Sequence, residues 1–207
     1  MGHDTLTYHR YIRNEKGTVR IGRMCLYKHD HIWCQQKKGF DIALAPFLKT
    51  NKFTHILEIG TASGGFTFFM HDVLPNTEIH TFDIKKNPEL DALNIFDQTT
   101  VSFFKENMFD SDYNIVSEKV KYFISQADRL LIVVDGGNKV KEANAIIPLM
   151  RSGDYIILHD YEGTGNDEEW NKFEVSKKDM QQLVASHDIQ TTYPELEDYM
   201  WACAVKV

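Results

Sequence analysis

The sequence predicts an α/β fold, a three-layer sandwich on a mostly parallel seven-stranded sheet with an antiparallel C-terminal strand. Three observations predict it. Apolar, β-rich runs recur at 53–60, 77–84, 99–107, 129–137 and 154–161, and helical patterns fill the intervals. Within them ILEI, LLIVV and YIIL are continuous rather than alternating, as strands buried on both faces must be, and they are expected at the centre of the sheet. IQTTYPE and YMWACAVKV then read as two closing strands, an antiparallel pair beside the parallel sheet.

The elements follow in chain order. Residues 1–50 are basic, aromatic and weakly patterned, and read as an N-terminal extension or lid packed on a core domain formed by 51–207. GFTFFMHDVLPN predicts a helix ending at Pro75-Asn76. VKEANAIIPLMRSG sets Ala143, Ile146, Ile147 and Met150 at helical spacing before Gly153, with Pro148 bending the last turn. DEEWNKFEVSKKDMQQLVASH is a polar helical region.

Composition narrows the function. A chain of 207 residues with 43% apolar and 26% charged residues can bury a core, which excludes a disordered or stapled mini-protein. The 23 Lys and Arg against 30 Asp and Glu give a net charge of −7, which argues against a broad nucleic-acid or anionic-membrane footprint. No run approaches the roughly 20 apolar residues of a membrane span, and MGHDTLTYHR lacks a secretory apolar core, so the expected compartment is cytoplasmic. Cys25, Cys34 and Cys203 form neither an even framework nor a CxxC pair, and read as reduced thiols.

In an open parallel sheet, ligands bind beyond the carboxyl ends of the strands where strand order reverses. Leu57-Glu58-Ile59-Gly60-Thr61-Ala62-Ser63-Gly64-Gly65 joins the first core strand to a helix, with glycines where a backbone must turn tightly against a ligand. Asp83 ends the next strand, at the distance where a carboxylate accepts both ribose hydroxyls of a nucleotide-like ligand. A dinucleotide turn wants GxGxxG, but here position 62 is Ala and Glu58 precedes a GxxxGG pattern. A carboxylate sits poorly beside a pyrophosphate and suits a ligand bearing an amino group and a sulfonium charge.

At these residues the sequence resembles the class I S-adenosylmethionine-dependent methyltransferases, whose first motif is an acidic residue followed by GxxxG. The likeness runs from about residue 30 to the C-terminus and includes Val134-Asp135-Gly136-Gly137-Asn138 and the segment Arg151 to Tyr161. It is nearest to the branch of the cephalosporin hydroxylase and macrocin-type small-molecule O-methyltransferases, with Trp33 and Lys38-Gly39-Phe40-Asp41 matching an upstream segment. The resemblance implies a Rossmann-like fold, with 51–207 as the cofactor-binding methyltransferase domain. It implies Glu58, Gly60, Thr61, Ala62, Ser63, Gly64 and Gly65 along the methionine and ribose, and Asp83 on the ribose hydroxyls. It also implies Ile84 beside the adenine, Glu106, Asn107 and Met108 at the adenine position, and Asp135 and Gly136 bordering the cofactor.

Asp135 and Asp160 end strands that this topology makes neighbours about 4.8 Å apart, so both carboxylates face one edge, as a hard divalent cation requires. The resemblance implies magnesium there, acidifying a substrate hydroxyl. The third ligand departs from the pattern, because Tyr161 follows Asp160 and His159 precedes it. His159 can ligate, act as general base or hydrogen-bond the backbone. Relatives carry His where this chain has Asn138, which leaves Lys139, once its pKa is lowered, or His159 to take a proton.

The reading is therefore an S-adenosylmethionine-dependent methyltransferase of a small-molecule hydroxyl, with His159, Lys139 and Asp135 as candidate catalytic residues. The alternatives are a non-catalytic S-adenosylmethionine-binding protein, motivated by Asn138, and an NAD(P)-dependent oxidoreductase, disfavoured by the missing GxGxxG. Nucleic-acid or protein methylation is hinted at only by Arg10, Arg13, Arg20, Arg23, Lys37 and Lys38, and no NPPY or DPPY motif accompanies them. The acceptor pocket is expected from the N-terminal segment and from Glu162 to Trp170, with Trp33 or Trp170 closing over substrate. A homo-oligomer is compatible with this branch.

Overall fold

The computed structural model describes residues 7–15, 18–27, 32–34, 36–37, 39–87, 90, 100–162 and 174–207. Among them a seven-stranded sheet runs in the order β6-β5-β4-β7-β8-β10-β9. Its strands are β4 (His55–Ile59), β5 (Glu78–Asp83), β6 (Val101–Lys105), β7 (Leu130–Val134), β8 (Tyr155–His159), β9 (Ile189–Thr191) and β10 (Trp201–Lys206). β4 to β8 are parallel, while β10 runs antiparallel to both β8 and β9. The chain moves outward from β4 to β6 and then returns to β7 on the other side of β4. This reversal leaves a crevice at the carboxyl ends of β4 and β7.

Alternation within the strands assigns the two faces. Leu57, Ile59, Ile132, Val134, Ile156 and Leu158 point into one apolar layer with α3 (Glu118–Gln126), α4 (Lys139–Ile146) and α5 (Lys177–Ser186). Ile56, Leu131, Val133 and Ile157 point into the other, with α1 (Phe40–Asn51) and α2 (Gly65–Val73). Helices on both faces explain why ILEI, LLIVV and YIIL carry no polar alternation. Buried Asp154 closes the turn before β8 by accepting from the Leu130 and Arg151 amides at 3.0 and 2.9 Å.

The ends of the helices also follow the sequence. α2 stops at Val73 before Pro75, and a 3-10 turn over Ile147–Leu149 holds Pro148 where α4 ends. Asn138 and Ser176 cap α4 and α5 with their side chains.

Residues 1–50 hold more regular structure than their weak patterning announces. β1 (Thr7–Glu15), β2 (Thr18–Tyr27) and β3 (Ile32–Cys34) form a separate antiparallel sheet. α1 then inserts Phe40, Leu44, Phe47 and Leu48 into the core beside α2, so the expected break at residue 50 falls at the end of a core helix. Cys34 and Cys203 are buried, and Cys203 is a free thiol. No described helix is long and apolar enough to cross a membrane. Residues 163–173, with Trp170, lie outside the described residues, as do the side chains of the N-terminal arginines and of Trp33.

Candidate active site

Two backbone hydrogen bonds build the crevice. The Gly60 amide donates to Phe82 O at 2.9 Å, and the Asp135 amide donates to Ile59 O at 2.8 Å, which brings the loops after β4, β5 and β7 together. Gly60 has φ 94°, and a Cβ there would lie 2.3 Å from the Asp135 carbonyl oxygen, so the position admits only glycine. Ala62 is also left-handed at φ 47°. Its amide donates to Asp83 Oδ2 at 2.9 Å, while Asp83 Oδ1 accepts from the Lys85 amide at 2.9 Å. The Asp83 carboxylate is thus oriented by backbone at the mouth of the crevice.

The crevice holds two cavities of about 310 and 390 Å³ that share Gly60, Ala62, Asp135 and Gly136 in their walls. The first is lined by Asp83, Ile84, Glu106, Asn107, Met108 and Gly136, which brings together the residues expected around an adenosine. Tyr113 and Glu142 also line it, two residues that none of the motifs marks. Glu142 is 4% exposed on the first turn of α4, and burial raises its pKa. It accepts from the Asn138 amide at 3.1 Å and lies where a Gly136 Cβ would be. An acidic residue four positions after a helix-capping Asn is the signal that was available.

The second cavity is lined by Thr61, Ala62, Ser63, Gly65 and Phe66 on one side and by Asp135, Lys139, His159 and Asp160 on the other. Cys34 and Gln36, supplied by the N-terminal segment, complete it. Gly64, which precedes α2 with φ 78°, serves as the helix N-cap and is not part of this wall.

Glu58 departs from the expectation. It is 1% exposed, faces α2 because Leu57 and Ile59 face the other layer, and lines neither cavity. Its Oε2 accepts from the hydroxyls of Thr67 on α2 and Thr81 on β5. Burial raises its pKa to about 7 against the pull of those two hydroxyls. Glu58 therefore ties the first strand, its neighbour and the following helix together rather than meeting a ligand's amino group.

At the other end, His159 Nδ1 stands 2.9 Å from Asp135 Oδ1 and 3.5 Å from Asp160 Oδ1. A carboxylate only accepts, so Nδ1–H donates, and in the neutral ring Nε2 carries the lone pair. The ring packs on Trp201 with centroids 4.5 Å apart, and the Trp201 indole N–H donates to Gln36 Oε1 at 3.0 Å. Burial lowers the His159 pKa, but the charge and hydrogen bond of Asp135 and the charge of Asp160 outweigh it, so the net direction is upward. Asp160 is raised by burial and more strongly lowered by His159 and Lys139, for a net downward shift.

The Lys139 Nζ lies 2.9 Å from Asp160 Oδ2, 3.8 Å from Asp135 Oδ1 and 3.1 Å from Gly136 O, with the side chain 4% exposed. Tyr161 turns into the core at 5% exposure and offers no ligand. Asn138 caps α4 by accepting from the Lys141 amide at 3.1 Å.

No protein-family model matches the sequence, and no curated protein does. Solved structures do share its fold. A putative caffeoyl-CoA O-methyltransferase from Staphylococcus aureus aligns at TM-score 0.56 and 15% identity, over 83% of this chain and 84% of that one. The apo-structure of CmcI-N160 aligns at TM-score 0.59 and 12% identity, over 87% and 76%. The O-methyltransferase NcsB1, in complex with S-adenosyl-L-homocysteine and 1,4-dihydroxy-2-naphthoic acid, aligns at TM-score 0.52 and 12% identity, over 81% of this chain and 55% of its own. The chain shares the α/β fold of these solved structures.

Proposed function

We propose that the protein is an S-adenosylmethionine-dependent methyltransferase acting on a small-molecule hydroxyl, with His159 as general base. One observation carries this reading: Gly60 and Ala62 of the glycine loop line both the cavity that holds Asp83 and the cavity that holds a buried imidazole already hydrogen-bonded to a carboxylate. The donor set fits the cofactor. Asp83, oriented by the Ala62 amide, would accept the ribose hydroxyls, the backbone of 60–63 would bound the amino-acid portion, and Ile84, Asn107 and Met108 would bound the adenine. When bound, S-adenosylmethionine supplies an electrophilic methyl group.

The chain's own contribution is orientation and removal of a proton. Asp135 fixes the tautomer of His159, and Nε2 takes the hydroxyl proton of the acceptor. Trp201 packs on the ring, and His159 is 7% exposed. Asn138, committed to its helix cap, takes no part. A cytoplasmic location and a small-molecule acceptor belong to the same reading, supported by a net charge of −7 that disfavours a polyanionic partner.

The magnesium ion implied by the resemblance does not suit the residues present. Magnesium requires near-octahedral oxygen ligands. Here Tyr161 removes the third oxygen, His159 Nδ1 is committed to Asp135, and the ammonium of Lys139 lies between the two carboxylates. No step is routed through a metal.

Calorimetry with S-adenosylmethionine, S-adenosylhomocysteine and NAD on the wild type and Asp83→Ala tests the reading. Binding of both sulfur ligands that is lost in Asp83→Ala supports it. Binding of NAD alone overturns it in favour of an oxidoreductase.

A further inference from the structure

We propose that the Lys139 ammonium is a resident replacement for the divalent cation, making the carboxylate pair Asp135 and Asp160 a metal-free site. Two carboxylates and an imidazole converge there, with ligand atoms all within 4.8 Å of one another. A cluster of this kind facing a cavity must be neutralised, because like charges this close disfavour one another's ionised form. Lys139 sits on the first turn of α4, and its side chain folds back along the loop to carbonyl 136. Its Nζ reaches both carboxylates and is shielded from water by its own burial, at 4% exposure.

The backbone supports the arrangement. Asp160 adopts φ 57°, a left-handed conformation that Asp tolerates better than most residues, immediately before buried Tyr161. A buried Tyr161 that offers no oxygen and a cation at Lys139 are complementary features. A divalent ion entering this cluster would have to displace a charge already paired at 2.9 Å. The consequence for chemistry is that an acceptor oxygen meets a fixed point charge and an imidazole, rather than the open coordination positions that chelate a vicinal diol.

The inference rests on the methyltransferase reading only for that consequence, and its test needs no cofactor. The full chain is titrated with Mn²⁺ while the electron paramagnetic resonance signal of the free ion is followed. The wild type is expected to leave the signal unchanged. Lys139→Met, which empties the cluster of its cation, is expected to bind Mn²⁺ with loss of the free-ion signal, and Lys139→Met with Asp160→Asn to lose that binding again. In parallel, Mg²⁺ is expected to raise the melting temperature of Lys139→Met and not that of the wild type.

Binding of Mn²⁺ by the wild type that a folded Asp160→Asn, checked by circular dichroism, abolishes overturns the proposal. So does a folded Lys139→Met, checked by circular dichroism, that binds no Mn²⁺. Failure of S-adenosylmethionine to bind leaves both outcomes readable, so failure of the enzyme reading and failure of this inference are distinguishable.

Discussion

The imidazole of His159, at the end of β8, donates through Nδ1 to Asp135 Oδ1 at the end of β7, at 2.9 Å. Neighbouring parallel strands ending at the same level make this contact, since Val134 pairs with Leu158 one residue before each partner. The pair couples a group that can take a proton to the loop that closes on Gly60.

Replacing His159 with Ala should lower kcat by roughly 100- to 10,000-fold while leaving S-adenosylhomocysteine affinity within a few-fold, as expected for loss of a general base. Steady-state rates with phenolic acceptors, beside calorimetry on the same variant, check this. A parallel loss of cofactor affinity would assign His159 to binding instead.

The pH dependence has a definite sign. Because His159 titrates above its ordinary value of 6.5, the base is neutral only at higher pH, and kcat/KM should rise through a midpoint above 6.5. Asp135→Asn removes the principal upward influence, so the midpoint should move down even as the maximal rate falls. The same shift contributes stability that is present below 6.5 and is lost as pH rises through the folded value. A midpoint that stays put in Asp135→Asn would refute the pairing.

Glu58 predicts a second effect of the same sign. Its folded pKa of about 7 against an ordinary 4.5 means that the fold favours the protonated form. Stability is full below 4.5 and is lost as pH rises to about 7. The loss is of order 3 kcal/mol at about 1.4 kcal/mol per pH unit. Glu58→Gln, which still accepts from Thr67 and Thr81, should flatten that slope and melt higher than the wild type at neutral pH. Thermal unfolding across this window decides it.

Gly60→Ala should be among the most damaging single changes in the crevice. It imposes a left-handed alanine, at about 1–3 kcal/mol, on top of a contact of 2.3 Å with the Asp135 carbonyl. Loss of several degrees in melting temperature and of cofactor binding is expected, measured by calorimetry and thermal shift.

Gln36→Leu tests how the N-terminal segment is held. It leaves the buried Trp201 indole N–H without its acceptor, a cost of about 1–3 kcal/mol. It should also loosen the ring against which His159 packs, so urea unfolding and kcat should fall together.

Much of this protein was decided by local sequence. The continuous apolar runs read as strands covered on both sides, which placed them at the centre of the sheet, and the structure pairs them there. GxxxGG and Asp83 marked the crevice, because a tight turn and a strand-end carboxylate have few other uses at that spacing. Only the tertiary structure could separate Glu58 from the ligand, since alternation turns it toward Thr67 and Thr81 while its neighbours point the other way. Residues distant in the chain were equally invisible beforehand. Gln36 meets Trp201 across 165 positions, and Lys139 enters a carboxylate pair whose second member lies on another strand. Periodicity and turn chemistry act over a few residues and can be read in order. Charge pairing and burial depend on which strand ends become neighbours, and that is settled only when the sheet is assembled.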